Sequence, residues 1–264
     1  MKHRHEGAVA AIVALATLLD SEARSNGSPP ARLGLAPFYE KYLDAEGLPI
    51  VSSAKVPDKA LIEARSIVDH MLALRPDVRA EMIRAKVLVA VMARSEVTTD
   101  IPEHADLKPK AYWDARARGL GGTVWRPACS CAEENLLGYP DDRYLGESIL
   151  VHEFGHTIHE LGLDALEKTF DARLQRCYEN AIQRHLFRNT YAARDYKEYW
   201  AEGVQSWFDA NLEAIPANGV HNEINTRSEL ERYYPDLAKL IAEAFGANDW
   251  RWRQPRRAAK EGAR

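Results

Sequence analysis

The chain has 264 residues, 46% of them hydrophobic, which is enough for one sizeable domain or two small ones with a packed core. The formal net charge is −4 and the pI is near 6.2. This charge balance excludes the general basic field of a nucleic-acid-binding protein, so no nucleic-acid partner is predicted.

The first 23 residues have the pattern of a secretory signal peptide. A basic start at residues 2–5 precedes an apolar run over residues 8–19, and Ser21 and Ala23 are small residues suited to cleavage. An uncleaved anchor or a plain N-terminal helix is the alternative. The apolar run is too short to span a bilayer, so the sequence predicts a secreted or periplasmic protein without stable membrane insertion after signal cleavage.

The rest of the chain divides into three predicted parts. Residues 24–34 contain Asn, Gly, Ser and Pro and are predicted to be a flexible lead-in. Residues 35–250 are predicted to form one folded domain, and residues 251–264 a basic, mobile tail.

Hydrophobic periodicity predicts two helices early in the domain, over residues 58–73 and 77–84, divided at Pro76. The apolar run at residues 86–92 predicts a buried strand. The glycines at 119–122 predict a turn that enters a second strand over residues 123–128.

A helix predicted over residues 142–161, with Asp142 as its cap, contains the sequence His152-Glu153-Phe154-Gly155-His156. Positions four apart in a helix lie one above the other, so both imidazoles face the same point. A catalytic Zn²⁺ takes such nitrogens together with a further protein ligand and a water. The sequence therefore predicts a zinc cofactor bound by His152 and His156, with Glu153 as general base.

Downstream, residues 163–188 are amphipathic and are predicted to close the core behind the metal site. Residues 191–208 also have helical periodicity and place Glu198 and Glu202 on one face. Thr226 and Glu229 form a capping-box pattern that predicts a last helix to about residue 245, with a break at Pro235.

The two motifs together resemble the gluzincin-type zinc metallopeptidases, in particular the relatives of the catalytic domain of anthrax lethal factor. That family has H-E-F-G-H on one helix and, on a second, a Tyr seven positions before the first Glu of E-F-F-A-E. Here the first motif is identical, and Tyr191 stands seven positions before Glu198 in E-Y-W-A-E. The resemblance is confined to residues 150–207.

This resemblance implies a role for each matching residue. The implied zinc ligands are His152, His156 and Glu198, and Glu153 is the implied base. By the same resemblance, Glu202 orients a ligand histidine from the second shell and Tyr191 points at the reacting carbonyl. Spacing alone leaves open whether Glu198 or Glu202 binds the metal directly; we favour Glu198.

The resemblance further implies an α+β, zincin-like fold: a small mixed sheet, an active-site helix and a glutamate helix in a mostly helical domain. The implied activity is that of a secreted zinc metallopeptidase, a hydrolase that cleaves peptide bonds in a peptide or protein substrate. In zincins an edge strand near the metal helix pairs with extended substrate, and residues 123–128 are the predicted strand here. The oligomeric state stays open.

Two other functions are compatible with the motifs. One is a zinc hydrolase that acts on a glycan or cell-wall linkage, because the motif positions a metal-bound water and does not choose the bond. The other is a zinc-retaining binding domain without turnover, which the intact Glu153 disfavours.

The chain contains three cysteines, Cys129, Cys131 and Cys177. In an exported protein, a disulfide from Cys177 to one of the other two is one possibility, which would leave one thiol free. The single residue between Cys129 and Cys131 is poor spacing for a structural zinc site.

Overall fold

The computed structural model describes residues 27–254. The predicted signal peptide and residues 255–264 of the predicted tail lie outside this range. Within it, no helix combines the length and the hydrophobicity that crossing a membrane requires.

A four-stranded mixed sheet has the order β1-β2-β3-β4, formed by Lys41–Ala45, Leu48–Ser52, Leu88–Met92 and Ala128–Ala132. β1 and β2 form an antiparallel hairpin, whereas β3 runs parallel to both β2 and β4. All five residues of β3 are buried, as expected for a parallel strand covered on both faces, and the predicted strand at residues 86–92 is confirmed.

The remaining described chain is mostly helical, so the fold is a mixed α+β fold, as predicted. Its helices are α1 Asp58–Met71, α2 Pro76–Arg84, α3 Lys110–Arg116, α4 Glu133–Leu136, α5 Ile149–Ile158, α6 Asp164–Leu166, α7 Phe170–Gln183, α8 Tyr196–Trp207, α9 Arg227–Tyr233 and α10 Pro235–Phe245. A π-helical turn, His159–Leu163, continues α5. Short 3₁₀ turns are formed by Ala31–Leu33, Thr98–Asp100, Pro102–His104 and Tyr191–Ala193.

Several sequence predictions are confirmed by these bounds. α1 and α2 occupy the two predicted helical segments, and Pro76 is the first residue of α2 rather than part of a continuous helix. The capping box formed by Thr226 and Glu229 begins α9. As predicted, the helix is interrupted before Pro235, which begins α10.

Two predicted boundaries are wrong. The metal-motif helix begins at Ile149, not near 142, because the Ser148 side chain caps it and accepts a hydrogen bond from the Val151 N–H at 3.3 Å. The predicted strand at residues 123–128 is instead a tight turn, closed by backbone hydrogen bonds of 2.8 and 3.0 Å between Thr123 and Arg126. These bonds use backbone groups that a strand would offer to its neighbour, so β4 begins only at Ala128.

The suggested disulfide is not formed, since all three cysteines lie within the described residues and are free. Cys129 and Cys131 are buried within β4. Cys177 belongs to α7, where its Sγ lies 3.4 Å from the Tyr199 hydroxyl. The fold therefore packs the third thiol against a different element from the other two.

α5 and α8 pack closely against each other at Gly155. A Cβ atom at this position would lie 3.3 Å from a Val204 methyl carbon, and the Trp200 indole N–H donates to the Gly155 carbonyl at 2.9 Å. α7 covers this pair as predicted, with Phe170 edge-to-face against Trp200 at 5.3 Å between ring centroids. Burial of each such aromatic side chain stabilises the fold by about 1.5–3 kcal/mol, which fixes the relative position of the two helices.

The packed structure extends into the predicted tail. Trp252 is buried, and its backbone N–H donates to the Phe208 carbonyl at 2.8 Å just after α8. The described residues at the C-terminus thus pack against the end of the helix that carries Glu198.

Candidate metal centre

Three side-chain atoms from α5 and α8 converge on one point. The Nε2 atoms of His152 and His156 lie 3.2 Å apart, and each lies 3.2 Å from the Glu198 Oε2. Of the two candidate carboxylates on α8, Glu198 is the one placed with both imidazoles. Glu198 is therefore the carboxylate positioned to complete a three-ligand site with the two imidazoles.

The size of this triangle suits a metal ion. Ligand atoms roughly 2.0–2.1 Å from a tetrahedral Zn²⁺ lie about 3.3–3.4 Å from each other, close to the 3.2 Å spacing here. Two neutral imidazoles and one carboxylate are also a donor set that Zn²⁺ takes in catalytic sites. The residues present therefore fit a zinc ion, although other divalent transition metals accept the same donors.

Local caps fix the helical turns that present these ligands. Ser148 caps α5 four residues before His152. Asp195 caps α8, where its Oδ1 accepts from the Lys197 and Glu198 backbone N–H groups, each at 3.0 Å. The helix starts that carry His152 and Glu198 are therefore each held by a side-chain cap.

Gln205 on α8 fixes the orientation of the His152 ring. Its amide nitrogen donates to Glu147 Oε2 at 3.1 Å and to the Ser148 carbonyl at 3.2 Å, so its oxygen faces the His152 Nδ1 at 2.8 Å. The Nδ1 must then carry the proton that it donates, which leaves the Nε2 lone pair directed at the metal position.

Glu202, predicted to orient a ligand histidine, lies near this ring without a hydrogen bond to it. Its Oε1 is 3.7 Å from the His152 Nδ1, beyond hydrogen-bonding distance, while its Oε2 accepts from the Asn211 amide at 3.1 Å. Burial raises the pKa of Glu202, and the charge of His152 opposes this shift. In this structure Glu202 acts on His152 through its charge, and Gln205 makes the hydrogen bond.

Burial and charge shift the pKa values of the ligand residues. Burial lowers the pKa of His152, but its hydrogen bond with Glu198 and the neighbouring carboxylates outweigh burial and raise this pKa to about 10. The pKa of Glu198 lies well below its usual range because hydrogen bonds to both histidines outweigh its own burial. Glu198 is therefore charged, and both histidines form hydrogen bonds with it. A metal ion at this point would displace the protons of those hydrogen bonds.

Glu153 lines the same cleft as the three ligand side chains. Burial raises its pKa, partly opposed by the charges of His152 and His156 and by a hydrogen bond from the Gly121 backbone. Gly121 can approach this closely only because it lacks a side chain, since a Cβ there would lie 2.7 Å from the His156 Cβ. A carboxylate with a raised pKa is well matched to accepting and returning a proton near neutral pH.

Tyr191 also lies at the centre, in the 3₁₀ turn before α8. Its hydroxyl donates to the Glu198 Oε1 at 3.0 Å and accepts from Arg116 at 2.9 Å and from Arg194 at 2.8 Å. Burial raises the pKa of Tyr191 to about 12, with a further contribution from the Glu198 charge, so the phenol is neutral and able to donate at pH 7.

All six predicted site residues are thus brought together, and four further residues were missed by sequence reasoning. Gln205 had a usable signal, because it follows Glu198 by seven positions and Glu202 by three on one helical face. Of the others, Arg116 and Glu147 line the cleft and Gly121 contacts Glu153. All three come from segments outside both motifs, and the sequence contains no local signal for them.

Comparison with known proteins adds no further assignment. Neither protein-family profiles nor curated proteins show a sequence match to this chain.

Proposed function

We propose that this protein is an exported zinc metallopeptidase with a zincin-like fold of the gluzincin type. The observation that supports it is the 3.2 Å triangle formed by His152, His156 and Glu198, with Glu153 in the same cleft. The export part rests on the signal-peptide pattern of residues 1–23.

The bound zinc ion would supply Lewis-acid chemistry, polarising a carbonyl and lowering the pKa of water toward 7. The chain's own groups account for the remaining tasks. The Glu153 carboxylate accepts a proton from the attacking water and returns it to the leaving amine nitrogen. The Gly121 N–H holds this carboxylate in place.

Tyr191 is suited to stabilising negative charge that develops on the substrate oxygen. Its neutral hydroxyl donates its one proton to the Glu198 Oε1 and would redirect it to the substrate oxygen, and two guanidinium groups lie against it. Arg116 lines the cleft and contributes positive charge at the same place. Donors of this kind stabilise a transition state by about 3 kcal/mol each.

The segment Gly119-Leu120-Gly121 replaces residues 123–128 as the proposed substrate-pairing edge. Leu120 exchanges backbone hydrogen bonds of 3.3 and 2.8 Å with Ser130 of β4. Because backbone groups alternate in direction along an extended segment, those of Gly119 face the other way. Gly119 lines the cleft, so an extended peptide can pair with it there.

The test combines metal analysis with cleavage profiling on peptide and glycan libraries. Glu153→Gln is expected to retain as much zinc as the wild type and to lose peptide hydrolysis, because the amide cannot take up the proton. Glu179→Gln, an exposed position on α7, is the control and should behave like the wild type. Cleavage of glycans alone, or undiminished hydrolysis by Glu153→Gln, would refute the proposal.

A further inference from the structure

A second group of metal-ligating side chains lies where α5 ends. There the helix widens into the π-helical turn His159–Leu163, and the chain continues into α6 and α7. The His159 Nε2 lies 3.5 Å from the Asp164 Oδ1 and 3.4 Å from the Asp171 Oδ1. All three atoms lie within 4.8 Å of one another. None of these residues belongs to the centre described above.

The hydrogen bonding of this group is incomplete. The His159 side chain is only 1% exposed, and neither of its ring nitrogens has a hydrogen-bond partner among residues 27–254. The buried Asp164 Oδ1 also has none within this range. Its distance to the imidazole exceeds the roughly 2.7–3.2 Å of an N–H···O hydrogen bond. Burial of unpaired polar atoms is unfavourable. A ligand bound between the imidazole and the carboxylate would give the His159 Nε2 and the Asp164 Oδ1 a partner.

The surroundings resemble those of a built ligand site. The Gln175 amide donates to the Asp171 Oδ2 at 2.7 Å, and the Tyr196 hydroxyl bonds to the same carboxyl group. The Asp171 Oδ1 faces the imidazole. The rings of Phe170 and Trp200 pack around His159 at 5.6 and 6.0 Å between centroids. Ligating carboxylates are commonly held by such outer hydrogen bonds within an apolar shell.

We propose that His159, Asp164 and Asp171 bind a second divalent transition-metal ion. Nitrogen and carboxylate ligands around a tetrahedral Zn²⁺ lie about 3.3–3.5 Å apart. The separations of 3.5 and 3.4 Å from the His159 Nε2 to the two aspartate oxygens match this spacing. The imidazole ligand disfavours Ca²⁺ and Mg²⁺, which prefer oxygen donors.

The site has a route to solvent and a structural consequence. The Asp164 and Asp171 side chains are 35% and 36% exposed, so an ion can enter from their side and a water can complete its coordination.

The ion joins the π-helical turn to α6 and α7. It therefore anchors the end of the helix that carries His152 and His156, at a position where the regular helical hydrogen bonds have changed.

The experiment titrates the chelator-stripped, full-length protein with ZnCl₂ in a calorimeter. The wild type is expected to bind two equivalents, and the double variant Asp164→Asn, Asp171→Asn one. The double variant His152→Gln, Glu198→Gln is expected to keep one equivalent, now at the His159 site. Glu167→Gln is the matched control: its carboxylate lies in the same stretch of chain but contacts Arg173 at 2.7 Å, so two equivalents should remain.

Either of two results would overturn the second site. One is unchanged zinc stoichiometry in the Asp164→Asn, Asp171→Asn variant, which would mean that His159 and the two aspartates form an ion pair without a metal. The other is no binding by the His152→Gln, Glu198→Gln variant, a readout that still decides the question if the aspartate variant fails to fold. One equivalent in the wild type that only the aspartate substitutions remove would support this site and refute the proposed catalytic one.

Discussion

The orientation of His152 gives the sharpest test of the candidate metal centre. Replacing Gln205 by Met keeps the length of the side chain but removes the oxygen that accepts from the His152 Nδ1–H at 2.8 Å. The Glu147 Oε2 also loses the amide donor that lies 3.1 Å away. The imidazole is then free to rotate, and its lone pair is no longer held toward the metal.

The expected magnitude follows from these contacts. Removing the outer partner of a ligand histidine lowers metal affinity by about 10–100-fold, or about 1.4–2.7 kcal/mol. Glu202→Gln is the comparison variant, because it removes a charge that lies 3.7 Å from the same nitrogen without a hydrogen bond. We expect it to lower zinc affinity by less than about tenfold.

The assay is competition for zinc between each variant and a chromophoric chelator at fixed pH. Circular dichroism of the metal-free variants provides the control for folding. The reasoning is refuted if Glu202→Gln weakens zinc binding more than Gln205→Met does. That order would restore Glu202 as the group that orients the ring.

Three further predictions concern the cleft and the core. Gly121→Ala places a Cβ 2.7 Å from the His156 Cβ, so urea unfolding should show a loss of about 1–3 kcal/mol, and an unchanged midpoint would contradict the close approach. Tyr191→Phe should lower kcat by about 100-fold or more with zinc retained, as for other oxyanion donors; a change in KM alone would argue against this role. Burial lowers the pKa of His104 from 6.5 to about 4, so between these pH values only the unfolded chain takes up the proton. The free energy of unfolding of the wild type should therefore fall by up to about 3 kcal/mol as the pH falls from 6.5 to 4. His104→Gln should lack this acid sensitivity in urea titrations, and an equal loss in both proteins would refute it.

Local patterns in the sequence were sufficient for much of the secondary structure. α1, α2 and β3 follow from apolar periodicity, and the start of α9 follows from its capping box. The convergence of His152 and His156 also follows from the sequence, because helical geometry alone brings residues four apart together. The pairing of these histidines with Glu198 came from a family resemblance, and the structure places the three together.

Tertiary packing decided the rest of the centre. Gln205 shares a helical face with Glu198, but its role depends on how α8 crosses α5 at Gly155, where the absence of a side chain leaves room for Val204. Arg116 lines the cleft and Gly121 contacts Glu153. Both belong to distant segments, and the Leu120–Ser130 bridge ties the second of them to the sheet.

The same reason explains the error at residues 123–128. A short apolar segment is compatible with a strand or a turn until its backbone partners are known. The grouping of His159 with Asp164 and Asp171 likewise requires a π-helical turn, which local residue preferences do not specify. Sequence periodicity determined which side chains share a helix face, and only the packing of those helices determined which faces meet.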